Sequence, residues 1–141
     1  MAMIYQTPRN YNPIHQIKFM RATYPQFKVR WKSDFEVEFV GSLRVSERFP
    51  TYIVSILYRS ELSPIVRVLK PELVEKPPHF YHNRRSLCLY HPLNFKWMSG
   101  KILAKEIVPW TAAWIYFYEI WLKTNVWYGP EVQHTTEIQQ N

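Results

Sequence analysis

Cys88 is the only cysteine in the sequence, and it lies in a segment crowded with groups that donate, accept or carry charge. Pro77 to Pro92 reads P-P-H-F-Y-H-N-R-R-S-L-C-L-Y-H-P. A lone cysteine between leucines is ordinarily an inert core residue. Histidines, arginines, tyrosines and an asparagine on both sides suit an exposed, activated thiol instead. The thiolate is the reactive form, and a thiol of pKa ~8.5 supplies only a few per cent of it at neutral pH. Arg84, Arg85, His79, His82 and His91 are the groups that would raise that fraction. If Ser86 to Tyr90 is extended, Leu87 and Leu89 point one way and Cys88 the other. The leucines then anchor the backbone in the core, and the sulfur is expected to face outward.

Other chemistries compete for the same residues. A cysteine hydrolase needs a histidine paired with the thiol and an orienting group, for which His79 or His134 with Asn83 are available. No nucleophile-on-helix signature precedes Cys88, however; a proline-rich loop does. One cysteine and five histidines do not show the spacing of a structural zinc site, and no metal or cofactor is expected.

The elements that must hold this segment follow from periodicity. Asn12-Pro13-Ile14 predicts a helix start, with Asn12 as N-cap and Pro13 at the first helical position. Ile14, Ile17 and Met20 form its apolar stripe, and Pro25 ends it, giving a helix over 12–24. The period then becomes two. Phe27-Val29-Trp31 alternates with Lys28-Arg30-Lys32, Ser33-Asp34 turns the chain, and Phe35-Val37-Phe39 alternates with Glu36 and Glu38. The basic and acidic rows are expected to pair across this hairpin. Tyr52 to Tyr58 and, after Pro64, Ile65 to Leu69 complete a four-stranded antiparallel meander over 27–70. Residues 71–98 show no regular period and form a long irregular crossing; loops of that length in compact domains are usually functional. A short helix from Ser99-Gly100 to Glu106 and a longer one from Pro109 to about Lys123 fill 99–128. On the longer helix Trp110, Trp114, Phe117 and Trp121 share a face expected to pack on the sheet. A polar tail occupies 129–141. The fold class is α+β, in one domain over 1–141.

Composition bounds the rest. The chain has 141 residues, 47% of them hydrophobic and 17% aromatic, enough for a buried core. With one cysteine no internal disulfide forms, no signal-peptide pattern opens the chain, and a cytoplasmic location is expected. Ile107 to Leu122 is apolar but short for a bilayer and contains Pro109 and Glu119, so no membrane span is expected. The net charge of +7 favours an acidic partner. A basic N-terminal region with interleaved aromatics fits a nucleic-acid-binding module in outline. Alternating Lys28, Arg30 and Lys32 on a strand is more commonly a solvated face, which makes nucleic acid the weaker reading.

The order of elements resembles the ubiquitin-conjugating-enzyme fold: helix, meander, cysteine-bearing crossing, downstream tryptophan, helix. More closely, the chain resembles the bacterial ubiquitin-conjugating-like proteins of CBASS-type anti-phage operons. P-H-F-Y at Pro78 to Tyr81, L-C-L-Y at Leu87 to Tyr90, Pro92, Trp97 and I-V-P-W-T at Ile107 to Thr111 carry this likeness. W-I-Y-F-Y-E-I-W-L from Trp114 to Leu122 and W-Y-G from Trp127 extend it, and it spans about Phe27 to Gly129. The resemblance implies that Cys88 takes the C-terminus of a partner protein as a thioester and passes it to an amine. The implied partner is a cGAS/DncV-like nucleotidyltransferase; with no fused ATP-binding domain expected, the chain either borrows activation from a separate activating enzyme or works in a system that has none. Eukaryotic relatives carry His-Pro-Asn upstream of the cysteine. Allowing one deletion, His79 matches the histidine and Tyr81 stands where the asparagine would be. Tyr81 then offers a hydroxyl donor, with Asn83 a nearby alternative, and His91 and Trp97 as supports. Lys18 and Arg21 on the first helix are the implied docking residues.

Overall fold

A computed structural model describes residues 13–91 and 94–130. Asn12, the expected N-cap, Pro92, His134 and the polar tail from residue 131 lie outside the described residues. Helix α1 (Ile14–Thr23) is followed by strands β1 (Lys28–Trp31), β2 (Val37–Leu43), β3 (Tyr52–Arg59) and β4 (Leu62–Lys70). These pair antiparallel in the order β1-β2-β3-β4, the expected meander. A small hairpin of β5 (Phe80–Tyr81) and β6 (Ser86–Leu87) precedes helix α2 (Leu103–Thr124).

Alternation drives the sheet. In β2, Val37, Phe39 and Leu43 are buried while the residues between them are half-exposed. Gly41 takes the fourth inward position because the Phe27 ring and backbone leave no room: a Cβ there would sit 2.7 Å from the ring. The same face of β3 contributes Tyr52, Val54, Ile56 and Tyr58, all fully buried. The expected charge pairing is present: Arg30 lies opposite Glu38 and contacts it at 3.2 Å, with Lys32 at 3.7 Å. Arg30 is largely exposed, so this pairing contributes only tenths of a kcal/mol. The Ser55 hydroxyl, donating to Glu38, is the main reason its carboxyl is held below the ordinary range; Lys32 and Arg30 add to it.

Several boundaries differ from the sequence reading. Phe35 and Trp31 are exposed at 54% and 47%, because the chain turns through 32–36 and β1 is an edge strand with few neighbours. β4 begins at Leu62, before Pro64, which an edge strand tolerates where the β3-β4 register shifts between Leu62 and Ile65. The crossing over 71–98 is not wholly irregular, since β5 and β6 pair within it. The two C-terminal helices are one. Pro109 lies on the exposed side of α2, where the lost hydrogen bond is left to solvent, and the helix continues through it.

Gln16 replaces Ile14 in the buried face of α1; Ile14 is 40% exposed. The reason is a long-range cap. α2 has no side-chain cap of its own at Ile102. The Gln16 amide accepts from the Leu103 N–H at 2.9 Å and donates to the Lys101 carbonyl at 2.6 Å. These satisfy a helix-end donor that the core covers. Gln16→Leu should leave both groups buried without partners and lower stability by about 1–3 kcal/mol, read as a reduced urea midpoint.

A second buried polar contact ties β3 to α2: the Tyr52 hydroxyl donates to the Glu119 carboxylate. Burial, then the Glu119 carboxylate, raises the Tyr52 phenol well above its ordinary range. Burial also raises Tyr90 and Tyr118. Unfolded tyrosines ionise near pH ~10, before the folded ones. Their contribution to stability is therefore complete below about pH 10 and is lost as pH rises further. Urea midpoints taken from pH 8 to 11 should fall at the alkaline end, and less steeply in Tyr52→Phe. Equal slopes would show that this contact does not couple to ionisation.

Candidate active site

Cys88 follows β6 directly, and the β5-β6 hairpin fixes where it starts. Phe80 pairs with Leu87, and Tyr81 with Ser86. The Cys88 N–H then donates to the His79 carbonyl at 3.0 Å, and the Trp114 indole of α2 donates to the same oxygen at 2.9 Å. One carbonyl thus joins the segment before β5, the segment after β6 and the helix. His79 holds a positive φ of 52°, a conformation that costs a non-glycine residue free energy and is held here by both donors. The Cys88 thiol is directed to the Tyr90 carbonyl at 3.7 Å.

The side-chain alternation expected around Cys88 is present only in part. Leu87 and Leu89 line a cavity of about 560 Å³, and Cys88 lines a groove of about 110 Å³ with His79, Trp110, Trp114, Phe117 and Trp127, but Leu89 lines that groove as well. The expected exposure is absent. Cys88 is 6% exposed, because aromatic rings cover its groove. The stripe of Trp110, Trp114, Phe117 and Trp121 supplies much of that roof. It was expected on the sheet, but the α2 residues packed most deeply into the core are Leu103, Ile107, Val108, Thr111 and Ile115. The stripe is rotated away from them; of its members only Trp114 is fully buried.

Trp127 closes the groove. Its ring lies 4.7 Å from the His79 imidazole and 5.8 Å from Phe117. Gly129 permits this approach, since a Cβ there would meet Phe117 at 2.7 Å and the Trp127 nitrogen at 3.0 Å. That nitrogen, Nε1, is the one buried side-chain polar atom among the described residues with no hydrogen-bond partner. Sequence reading quoted Trp127 only as part of a likeness; its orphaned donor has no signature in residue type or spacing.

The remaining sequence candidates scatter. Tyr81 lines the 560 Å³ cavity, with Arg84 stacked 5.2 Å from its ring centroid. Asn83 and His82 are exposed in the β5-β6 turn. Of the five groups named as thiol activators, only His79 lines the cysteine groove: Arg84 lines the 560 Å³ cavity, and Arg85 stacks over Phe80 at 4.9 Å. The His91 carbonyl accepts from the Asn94 N–H at 2.9 Å, turning the chain toward Trp97. Trp97 is buried, and its indole donates to the Ser60 carbonyl at 2.8 Å, pinning this loop to the β3-β4 turn. Lys18 and Arg21 are exposed on α1. Among the described residues, no helix is long and apolar enough to cross a membrane.

The arrangement offers one thiol in an aromatic groove, held by a bridged carbonyl on a helix-sheet scaffold. Comparison with curated proteins finds no match. The sequence model of the family described as Type II CBASS E2 protein, by contrast, matches residues 16–135, through the sheet, the cysteine segment and α2. The chain belongs to that family, and with it to the E2-like components of CBASS defence.

Proposed function

We propose that Cys88 carries an acyl group as a thioester and transfers it to an amine. The Cys88 thiolate attacks the activated C-terminal carbonyl of a partner protein; the S–C bond forms and the activating group leaves. A lysine amine of the target then attacks the thioester carbonyl. The tetrahedral intermediate carries an oxyanion, collapses with cleavage of the C–S bond, and returns the thiolate, while the amine proton passes to water. The partner is a cGAS/DncV-like nucleotidyltransferase, acting as acyl donor or as substrate, and a separate activating enzyme supplies the activated acyl group. Lys18 and Arg21 serve the docking of these partners.

The observation that carries this reading is the setting of Cys88. In a chain of the E2 family, the sole cysteine lines a groove of about 110 Å³ walled by His79 and the aromatic rings of α2 and Trp127. His79 is assigned as a positioning residue, acting through its carbonyl on the Cys88 backbone. The oxyanion needs a fixed donor. We assign this to the Trp127 indole, which lines the groove and whose N–H lacks an acceptor. Tyr81 is the competing donor, from the neighbouring cavity. Intact-mass spectrometry of the chain co-expressed with the nucleotidyltransferase and activating enzyme tests the chemistry. An adduct on Cys88 that reductant cleaves is expected; an active partner system that leaves Cys88 unmodified would sink it.

A further inference from the structure

A second site adjoins the cysteine groove, and its cationic rim is not used by the thioester chemistry. Its floor is apolar: Val66 from β4, Leu87, Leu89, Trp97 and Ile107 surround about 560 Å³. Its rim is cationic. Arg84 and Lys96 line it, and both are exposed. Arg59 and Arg67 stand close by: Arg59 is bound to the Ser63 carbonyl at the rim, and Arg67 donates to the Arg84 carbonyl at 3.0 Å.

No salt bridge joins these cations to an acid: among the described residues, the ion pairs all involve Glu38, on the far side of β3 from this cavity. The one acid in the lining, Glu61, accepts from the Ser99 hydroxyl at 2.5 Å. The Arg59 guanidinium is lowered from its ordinary range by burial and then by the charge of Arg84, with Arg67 adding to it and Glu36 opposing it. Cations thus outnumber acids around the cavity, and a ligand of opposite sign relieves their repulsion.

We infer that this cavity docks an acidic polypeptide segment with one apolar anchor side chain: the anchor fills the cavity, and flanking carboxylates meet Arg84 and Lys96. A phosphodiester backbone would use the cations but leave the apolar volume unfilled, so a peptide fits better than nucleic acid. Leu89 lines both this cavity and the cysteine groove. A segment anchored here therefore lies one side chain from Cys88, which makes it the acceptor that presents the lysine. The acceptor role rests on the thioester reading; the docking itself does not.

The test is fluorescence anisotropy of a labelled Glu-Asp-Leu-Phe-Glu-Asp peptide titrated with the full chain. Wild type should bind it, and a Lys-Lys-Leu-Phe-Lys-Lys peptide should bind at least tenfold more weakly. Arg84→Glu combined with Lys96→Glu, both surface changes, should weaken the acidic peptide at least tenfold, and Cys88→Ala should bind it as wild type does. The inference is overturned if the two peptides bind alike, or if the double variant binds unchanged. Displacement of the peptide by a twelve-nucleotide oligo-dT at lower concentration than by unlabelled peptide also overturns it, in favour of nucleic acid. A wild-type chain that binds the peptide yet forms no adduct at Cys88 refutes the thioester reading and leaves the docking site standing.

Discussion

Cys88→Ala is expected to abolish the covalent adduct with the partner protein entirely, and Cys88→Ser to replace it with one that forms more slowly and resists reductant. The reasoning is chemical. Alanine removes the only thiol in the chain, so no thioester can form. Serine keeps an oxygen nucleophile in the same groove, but its hydroxyl ionises far less readily than a thiol, so attack slows, and the product is an oxygen ester that thiols do not reverse. The groove accommodates both changes. Alanine removes one sulfur atom from a site 6% exposed, and the Cys88 N–H to His79 bond belongs to the backbone. Both variants should therefore fold, with urea midpoints within about 1–2 kcal/mol of wild type. Mass spectrometry before and after reductant reads the outcome. Full conjugation by Cys88→Ala would remove the cysteine from the mechanism.

Trp127→Phe is the second large effect expected. It keeps an aromatic ring against His79 and Phe117 while deleting the one buried side-chain donor among the described residues that has no partner. Loss of a single oxyanion donor typically slows the chemical step about 10²–10³-fold. The expected result is a fall of that order in the single-turnover rate of aminolysis, with KM for the acceptor little changed. Stability should change little or rise, because an unpaired buried donor is removed. Tyr81→Phe, assayed beside it, should leave the rate within about threefold. The reverse pattern, a slow Tyr81→Phe and a normal Trp127→Phe, would move the donor to the other cavity. A loss in Trp127→Phe that appears equally in alkylation of Cys88 by iodoacetamide would mark a structural role.

The sequence carried the sheet and the Arg30–Glu38 pairing because each is a local pattern with a fixed period. Gln16 was missed for the opposite reason. A glutamine among helical apolar positions reads as surface, and its partners, Lys101 and Leu103, are more than eighty residues away. Pro109 suggested a break because a proline's cost depends on which side of the helix it occupies, which periodicity alone did not resolve. The aromatic stripe was recognised correctly as one face, but a face does not say what covers it. Trp110 packs against Tyr90 and Phe95 at 5.4 and 4.8 Å, and so belongs to the cysteine loop rather than the sheet. The same applies to the arginines at 84 and 85: their nearness to Cys88 in sequence suggested activation, and a tight β5-β6 turn aims them elsewhere.

The shared carbonyl of His79 also has a temporal consequence. Its two donors come from Cys88 and from Trp114, 35 residues farther along the chain than His79. The groove's remaining wall, Trp127, is made later still. A ribosome that has just released Cys88 has produced a thiol on an unsupported strand with no roof. Chain order thus delays the completed groove until Trp127 has emerged, long after the thiol itself.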